Sequence, residues 1–160
     1  MRKKRIMIIG GISCGKTTLA SHLEAEPFPV RKMPNMVYRP YTLDAPGTYL
    51  ESTWMRQHLI IAAQEASCVL MLADASVLRN IYPPGFANAF RVPVIGVMTR
   101  CGASSEKGIR EARKQLERAG IREPFFYLEL NPDRCDTANL ETLKQYLEPY
   151  RKLAEVSKDS

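Results

Sequence analysis

The run Ile6-Met7-Ile8-Ile9 leads directly into Gly10-Gly11-Ile12-Ser13-Cys14-Gly15-Lys16-Thr17, and this stretch decides the fold. The four apolar residues predict a short strand that is buried on both faces, and the two glycines predict a tight turn after it. From Lys16 to Glu24 the chain contains no glycine or proline, and its leucines lie four residues apart, which predicts a helix. The sequence therefore predicts a strand, a glycine loop and a helix in succession.

The glycine loop matches the pattern G-x-x-x-x-G-K-[ST], and it stands in the strand-to-helix context in which that pattern binds phosphate. Glycines let the backbone approach phosphate oxygens, while successive N–H groups and the helix N-terminus supply partial positive charge. Lys16 adds a full charge for the β and γ phosphates, and the Thr17 hydroxyl is a hard oxygen ligand suited to Mg²⁺. We expect Thr18 chiefly to pack or cap. The predicted nucleotide contacts of the loop are Gly10, Gly11, Ser13, Cys14, Gly15, Lys16, Thr17 and Thr18.

A site of this kind also needs an acidic group at a strand end that faces the metal, and Leu43-Asp44-Ala45-Pro46-Gly47 supplies one. Taken alone, D-x-x-G is more typical of a turn, since Asp and Gly are common in turns. The phosphate loop upstream favours the functional interpretation. We therefore predict that Asp44 and Thr17 bind the metal, that both act in catalysis with Lys16, and that the Gly47 N–H contacts a γ phosphate.

The rest of the chain alternates between apolar runs and amphipathic segments. Extended or strand patterns cover residues 37–44, 68–73, 91–99 and 125–130. Apolar stripes at three- and four-residue steps predict helices after Ser52, between Ile109 and Gly120, and from Leu140 to Ala154, the last bent or loosened at Pro149. Such alternation with continuous apolar strands implies an α/β fold, a mostly parallel sheet with helices on both faces.

Composition narrows the class of protein. A chain of 160 residues with 45% hydrophobic and 25% charged residues predicts one compact nucleotide-binding domain, residues 1–160, neither disordered nor multi-domain. Four cysteines without a C-x-x-C pair indicate reduced thiols and a cytoplasmic location. Apolar runs are too short for a membrane span or a signal peptide, so we expect no membrane partner. The net charge of +6 permits an anionic ligand, but no nucleic-acid-binding module accompanies it.

The guanine-reading pattern of GTPases, [NT]-K-x-D, is broken. At its expected position the chain has Thr99-Arg100-Cys101-Gly102. Thr99 fits, and the Arg100 guanidinium can lie over a purine, so both are predicted nucleotide contacts. Gly102 cannot accept hydrogen bonds from guanine as the Asp does. The residues therefore predict a purine nucleoside triphosphate but leave ATP and GTP both open.

Two further parts of a GTPase are missing. No Ser or Thr lies between Ala25 and Tyr41 to serve as a switch-region ligand of Mg²⁺, and Thr48 stands where a water-orienting Gln is expected. We therefore expect slow intrinsic hydrolysis. Arg39, Arg79 and Arg91 are interpreted as solvated loop residues. Cys14 is either a small neutral filler or a thiol whose pKa is lowered by Lys16 and the helix N-terminus.

Three stretches together resemble the EutP/PduV family of ethanolamine and propanediol utilisation proteins. They are GGISCGKTTL from Gly10, YTLDAPGTYLE from Tyr41 and YPPGFANAFRVPVIGVMTR from Tyr82, and the likeness covers nearly the whole chain. The resemblance implies a small Ras-like P-loop domain, an association with bacterial microcompartments and, in some members, acetate kinase activity. It assigns phosphates and metal to Gly10, Gly15, Lys16 and Thr17, and the metal and γ phosphate to Asp44 and Gly47.

Our leading hypothesis is a Mg²⁺-dependent purine-nucleotide-binding protein that slowly hydrolyses or transfers a γ phosphoryl group, with water or acetate as acceptor. The resemblance places it in ethanolamine or propanediol utilisation, within or beside a microcompartment. The alternative is a nucleotide-stabilised module that docks to shell or enzyme partners with negligible turnover, which the missing Gln and switch hydroxyl favour.

Overall fold

The computed structural model describes residues 4–11, 14–24, 35–77, 79–130 and 137–155. Within them, the strands are β1 (Arg5–Ile9), β2 (Val37–Tyr38), β3 (Thr42–Asp44), β4 (Ala66–Asp74), β5 (Val94–Thr99) and β6 (Phe125–Tyr127). The α-helices are α1 (Lys16–Glu24), α2 (Thr53–Ala63), α3 (Glu106–Arg118) and α4 (Thr137–Leu153). Short 3-10 helices cover Gly47–Leu50, Phe86–Ala89 and Cys101–Ala103.

The described strands form one sheet in the order β2-β3-β1-β4-β5-β6. All neighbouring pairs are parallel except β2 with β3, which form an antiparallel pair at the edge. The chain leaves β1 towards β3 on one side and later returns to β4 on the other side. The sheet therefore has its topological switch point at β1, where ligands of such folds bind.

Helices cover both faces, as the sequence predicts. On one face, α1 and α4 pack their leucines on alternate residues of the central strands, among them Ile6, Ile8 and Leu70. On the other face, α2 and α3 cover Met7, Ile9 and the remaining alternate positions. Central strands buried on both faces explain why they appear in the sequence as continuous apolar runs.

The helix that follows Ser52 is shorter than its apolar stripe suggests. It ends at Ala63, and Ala66, which the stripe includes, is the first residue of β4. Ser52 does take the N-cap position, but its side chain makes no capping hydrogen bond. The apolar spacing continues from the end of α2 into β4 because the core-facing side of a helix and a buried strand both consist of apolar residues.

Two strand predictions are too long. β5 begins at Val94, not Arg91, and Pro93 contributes its carbonyl alone, which accepts from the Val69 N–H at 2.9 Å. Proline has no N–H for a ladder, so the regular strand starts after it. β6 ends at Tyr127, although residues 128–130 remain buried.

The end of α3 agrees with the sequence. Gly120 follows α3 with φ +104°, the left-handed conformation predicted for a C-cap. The final helix runs from Thr137 to Leu153 with Pro149 inside it, so it begins three residues before the predicted Leu140; the bend or loosening expected at Pro149 stays a prediction.

Candidate functional site

The described residues of the glycine loop lie at the N-terminus of α1. Gly15 has φ +100°, and the Cys14 N–H donates to the Gly11 carbonyl at 3.3 Å. The helix starts at Lys16, so the amides of Lys16, Thr17 and Thr18 lie in its first turn, where N–H groups have no acceptor within the helix. These amides and the helix dipole favour an anion. Ser13 lies outside the described residues.

Lys16 folds back across this loop. Its ammonium donates to the Gly11 carbonyl at 2.8 Å and lies 4.0 Å from the Cys14 sulfur. The side chain is only 8% exposed, so its charge is held close to the loop backbone. An ammonium has three N–H donors, and further donors stay available for phosphate oxygens.

Cys14 is a neutral filler, and the interpretation as an activated thiol is wrong. The residue is buried, and burial raises the pKa of its thiol although the nearby Lys16 charge acts in the opposite direction. A Cβ on Gly10 would lie 2.5 Å from the Cys14 sulfur, so position 10 must be glycine for this packing. The uncharged sulfur thus supports the loop from inside.

The structure brings Thr17 and Asp44 together. Asp44 ends β3, which pairs with β1 so that Ile8 and Asp44 are in register. The Thr17 hydroxyl donates to Asp44 Oδ2 at 3.1 Å. A hydroxyl and a carboxylate side by side are two hard oxygens, and Mg²⁺ in nucleotide sites takes few protein oxygens besides phosphate and water. These two residues therefore fit the metal that the sequence predicts.

Arg39 is not a solvated loop residue, which corrects the sequence interpretation. It is 8% exposed, and its guanidinium Nη1 lies 3.5 Å from Asp44 Oδ2. The turn between β2 and β3 carries it there, since the Arg39 N–H donates to the Thr42 carbonyl at 2.8 Å. A positive charge thus lies beside the predicted metal ligand. Arg79 and Arg91 are exposed, as expected.

A buried carboxylate fixes the position of β3. Glu24, at the end of α1, accepts from the Tyr41 N–H at 2.7 Å, the Thr42 N–H at 2.9 Å and the Thr42 hydroxyl at 3.0 Å. The first helix after the loop is therefore tied directly to the strand that carries Asp44. The sequence interpretation missed Glu24, because a Glu at a helix end usually faces solvent.

The loop after β5 contacts the phosphate loop. The Thr99 hydroxyl donates to the Cys14 carbonyl at 2.8 Å, although 85 residues separate the two positions. Arg100 has φ +58°, and its guanidinium pairs with Asp74 Oδ2 at 3.1 Å. Asp74, at the end of β4, also accepts from the amide and hydroxyl of Ser76 at 2.8 and 2.6 Å. The sequence interpretation missed Asp74. The one feature of the sequence that could have indicated it is its position as an acidic residue at the end of a buried strand.

Gly47 begins the 3-10 helix Gly47–Leu50, directly after the strand end that carries Asp44. It is buried, and its N–H lies in the first turn of that short helix. Thr48, in the position of the expected Gln, is exposed. The predicted contact of the Gly47 N–H with a γ phosphate remains a prediction.

A separate cleft of about 560 Å³ lies between the β2–β3 hairpin and α2. Its lining includes Tyr38, Tyr49 and His58, and it contains none of the predicted site residues. The rings of Trp54 and Tyr49 make edge contacts with the His58 ring, at centroid distances of 5.3 and 6.4 Å.

Among the described residues, no group of three or more His, Cys, Asp or Glu side chains could hold a metal. No helix in the described ranges is long and apolar enough to cross a membrane.

Several solved structures of proteins related to GTP binding share this fold. The FeoB G-domain from Methanococcus jannaschii is 18% identical, with a TM-score of 0.59 over 95% of this chain and 99% of that one. A probable GTP-binding protein engB is 15% identical, with a TM-score of 0.60 over 92% and 98% of the two chains. Elongation factor SelB from Methanococcus maripaludis is 16% identical, with a TM-score of 0.55 over 94% of this chain, which spans 34% of that one. These likenesses confirm the predicted Ras-like P-loop fold.

Sequence comparison identifies the family. A family model described as "Ethanolamine utilisation - propanediol utilisation" matches residues 3–149. The propanediol utilization protein PduV of Citrobacter freundii is 34% identical over 123 residues, which cover 77% of this chain and 82% of that protein. The predicted resemblance is therefore confirmed, and the chain belongs to the PduV–EutP family of ethanolamine and propanediol utilisation proteins.

Proposed function

We propose that this protein binds a purine nucleoside triphosphate with Mg²⁺ in the loop of residues 10–17 and slowly hydrolyses or transfers its γ phosphoryl group. The observation that carries the proposal is the convergence of positive groups on one loop. The Lys16 ammonium, held at 2.8 Å from the Gly11 carbonyl, and the first-turn amides of α1 all lie at the same strand end. Donors gathered at a helix N-terminus in this way are suited to the oxygens of a phosphate group.

Each residue has a distinct part in this proposal. The loop amides bind and orient the β and γ phosphates, and Lys16 stabilises the negative charge that develops on their oxygens. Thr17 and Asp44 hold the Mg²⁺, which when bound neutralises phosphate charge and orients the γ phosphoryl group. Gly47 offers its N–H to the γ phosphate, and Thr99 and Arg100 contact the purine.

The proposed turnover is slow, because Thr48 stands where a GTPase carries a Gln, and it lacks the amide that orients an attacking water. Thr48, at that position, is short and exposed. This observation favours the second candidate function, a nucleotide-stabilised module with negligible turnover that docks to other proteins. Both candidates bind nucleotide in the phosphate loop, and product formation is what distinguishes them experimentally.

Calorimetric titration tests the site itself. We expect wild-type protein to bind ATP or GTP more tightly with Mg²⁺ than without it. Lys16→Ala should lose most of this binding, because the loop then lacks its full positive charge. Lys114→Ala is the matched control, since Lys114 is an exposed lysine of α3 and its loss should leave affinity unchanged. Equal affinity in wild type and Lys16→Ala would refute the proposed site.

Product analysis separates the two candidates. Single-turnover phosphate release, with and without acetate, measures hydrolysis and acyl-phosphate formation in the same samples. Release that Lys16→Ala abolishes supports catalysis at this site, and acyl phosphate that forms only with acetate identifies acetate as the acceptor. Tight binding without any product supports the docking module.

Family membership supports a place in ethanolamine or propanediol utilisation. We place the protein within or beside a bacterial microcompartment, where shell or enzyme proteins are its partners. Co-purification of the tagged protein with intact compartments tests this placement. A protein that stays entirely in the compartment-free fraction would contradict it.

A further inference from the structure

The missing side chain of Gly102 leaves space that another residue fills. A Cβ placed on Gly102 would lie 2.9 Å from Cγ, 3.2 Å from Cβ and 3.2 Å from Oε1 of Glu129. One oxygen of the Glu129 carboxylate therefore lies next to the point where the base-reading Asp of a GTPase would begin its side chain. An Asp at position 102 and Glu129 in its present rotamer could not coexist.

Backbone hydrogen bonds fix Glu129 in this place. The Leu128 N–H donates to the Met98 carbonyl at 2.8 Å, and the Leu128 carbonyl accepts from the Cys101 N–H at 3.0 Å. The segment after β6 is thus bonded to the loop after β5 on both sides of Thr99. That loop is itself bonded to the phosphate loop through Thr99 and Cys14. The separation of Glu129 from the phosphate loop is therefore set by the sheet and by this bridge.

Glu129 is 4% exposed, and glutamates are almost never buried to this extent unless they are paired. Glu129 already has a partner in the structure, but its two coplanar carboxylate oxygens have about four acceptor sites, so the group can also accept two parallel donors. The N1–H and the C2 amino group of guanine are such a pair. Adenine has a lone pair at N1 and no C2 amino group, so it would face the carboxylate with an acceptor and repel it.

We propose that Glu129 is the residue that reads the purine base, in place of the Asp that position 102 lacks, and that it selects guanine over adenine. The inference rests on the proposed nucleotide site and decides which nucleotide it takes. A neighbouring chain segment thereby supplies the carboxylate, while Gly102 provides the room for it. Thr99 and Arg100 keep the contacts proposed above.

Competing titrations with GDP, ADP and XDP test the assignment. Xanthine has an oxygen at C2 where guanine has an amino group. Wild type should prefer GDP over ADP by about tenfold or more, the effect of a charged bidentate hydrogen-bond pair. Glu129→Gln should weaken GDP binding by a similar factor and improve XDP binding, because the amide offers an N–H donor to the C2 oxygen. A merely structural Glu129 would not exchange one base for another.

A relocated carboxylate provides the second test. Glu129→Ala should lose the preference for GDP, and adding Gly102→Asp to that variant should restore it, since the double variant carries the Asp of the GTPase pattern without the steric conflict. Glu148→Gln, an exposed carboxylate of α4, is the control. Thermal unfolding of each variant identifies any that do not fold.

The wild-type protein alone is sufficient to refute the assignment. Equal affinities of wild type for GDP and ADP would overturn it. A second result, from the variant, would also overturn it: an unchanged ratio of GDP to XDP affinity in folded Glu129→Gln. Either result would leave the phosphate site intact. Absence of binding to every nucleotide would instead refute the proposed function.

Discussion

Arg39 and Asp44 form an ion pair in which both side chains are almost completely buried, at 8% and 7% exposure. Buried charges of this kind are stable only when paired. Asp44 is also our proposed metal ligand, so Mg²⁺ has to share or replace the guanidinium as the counter-charge of that carboxylate. Binding of the metal to Asp44 would therefore affect the position of Arg39, which lies in the turn between β2 and β3.

At this scale we predict the effect of Arg39→Gln. Without metal and nucleotide, loss of the guanidinium should lower the free energy of unfolding by about 1–3 kcal/mol, because Asp44 loses its charged partner. With nucleotide bound, Mg²⁺ should bind more tightly than in wild type, since no guanidinium competes for the carboxylate. Urea denaturation and Mg²⁺ titration of the nucleotide complex measure the two effects.

Arg91→Gln is the control for this prediction, because Arg91 is an exposed loop arginine. It should change neither the free energy of unfolding nor the Mg²⁺ affinity. Weaker Mg²⁺ binding in Arg39→Gln would contradict the idea of competition and would indicate that Arg39 supports the bound metal complex.

At the scale of elements, α3 is held against the end of β4 by a glycine. A Cβ on Gly108 would lie 2.3 Å from the Ala75 carbonyl oxygen, so only glycine allows this approach. Ser105 caps the same helix, since its hydroxyl accepts from the Gly108 N–H at 3.1 Å. Ala75 follows Asp74, so this contact also sets the distance between α3 and the strand end that carries the Arg100 partner.

We therefore predict that Gly108→Ala destabilises the protein, by about 1–3 kcal/mol as in overpacked cores. In an open helix the same change is stabilising, because alanine has the higher helix propensity. Lys107→Ala, at the exposed neighbouring position, is the matched control and should be nearly neutral. Chemical denaturation measures both variants, and a stabilising Gly108→Ala would show that the helix can move away from β4 at no cost.

At the scale of the whole molecule, the site joins segments that are distant in the chain. The phosphate loop follows β1, Asp44 ends β3, and the bridging Thr99 ends β5. A ligand that binds across these segments binds the folded state and not the unfolded chain. Bound nucleotide should therefore increase the free energy of unfolding by an amount that depends on its affinity.

We predict that GDP at a hundred times its dissociation constant raises the free energy of unfolding by about 2.7 kcal/mol. Denaturant titration with and without GDP measures the difference. The same GDP concentration should leave the stability of Lys16→Ala almost unchanged, because binding is lost there. An equal gain in both proteins would show that GDP binds somewhere other than the proposed loop.

The sequence by itself determined the features that depend on residues close together in the chain. A buried strand, a glycine loop and a helix are encoded by consecutive residues from Ile6 to Glu24, and the structure places β1 and α1 there. The α/β class follows in the same way, because apolar strands and amphipathic helices are local patterns. Strand ends were less predictable, since Pro93 and the residues after Tyr127 continue the apolar run beyond the ladder.

Only the tertiary structure decided which distant side chains meet. Arg39 appears in the sequence as one more loop arginine, and its contact with Asp44 exists because the β2–β3 turn folds back beside β1. Glu129 likewise carries no signal in its own segment. It reaches Gly102 because β5 and β6 run parallel and end together, and sequence periodicity does not record which strands are neighbours.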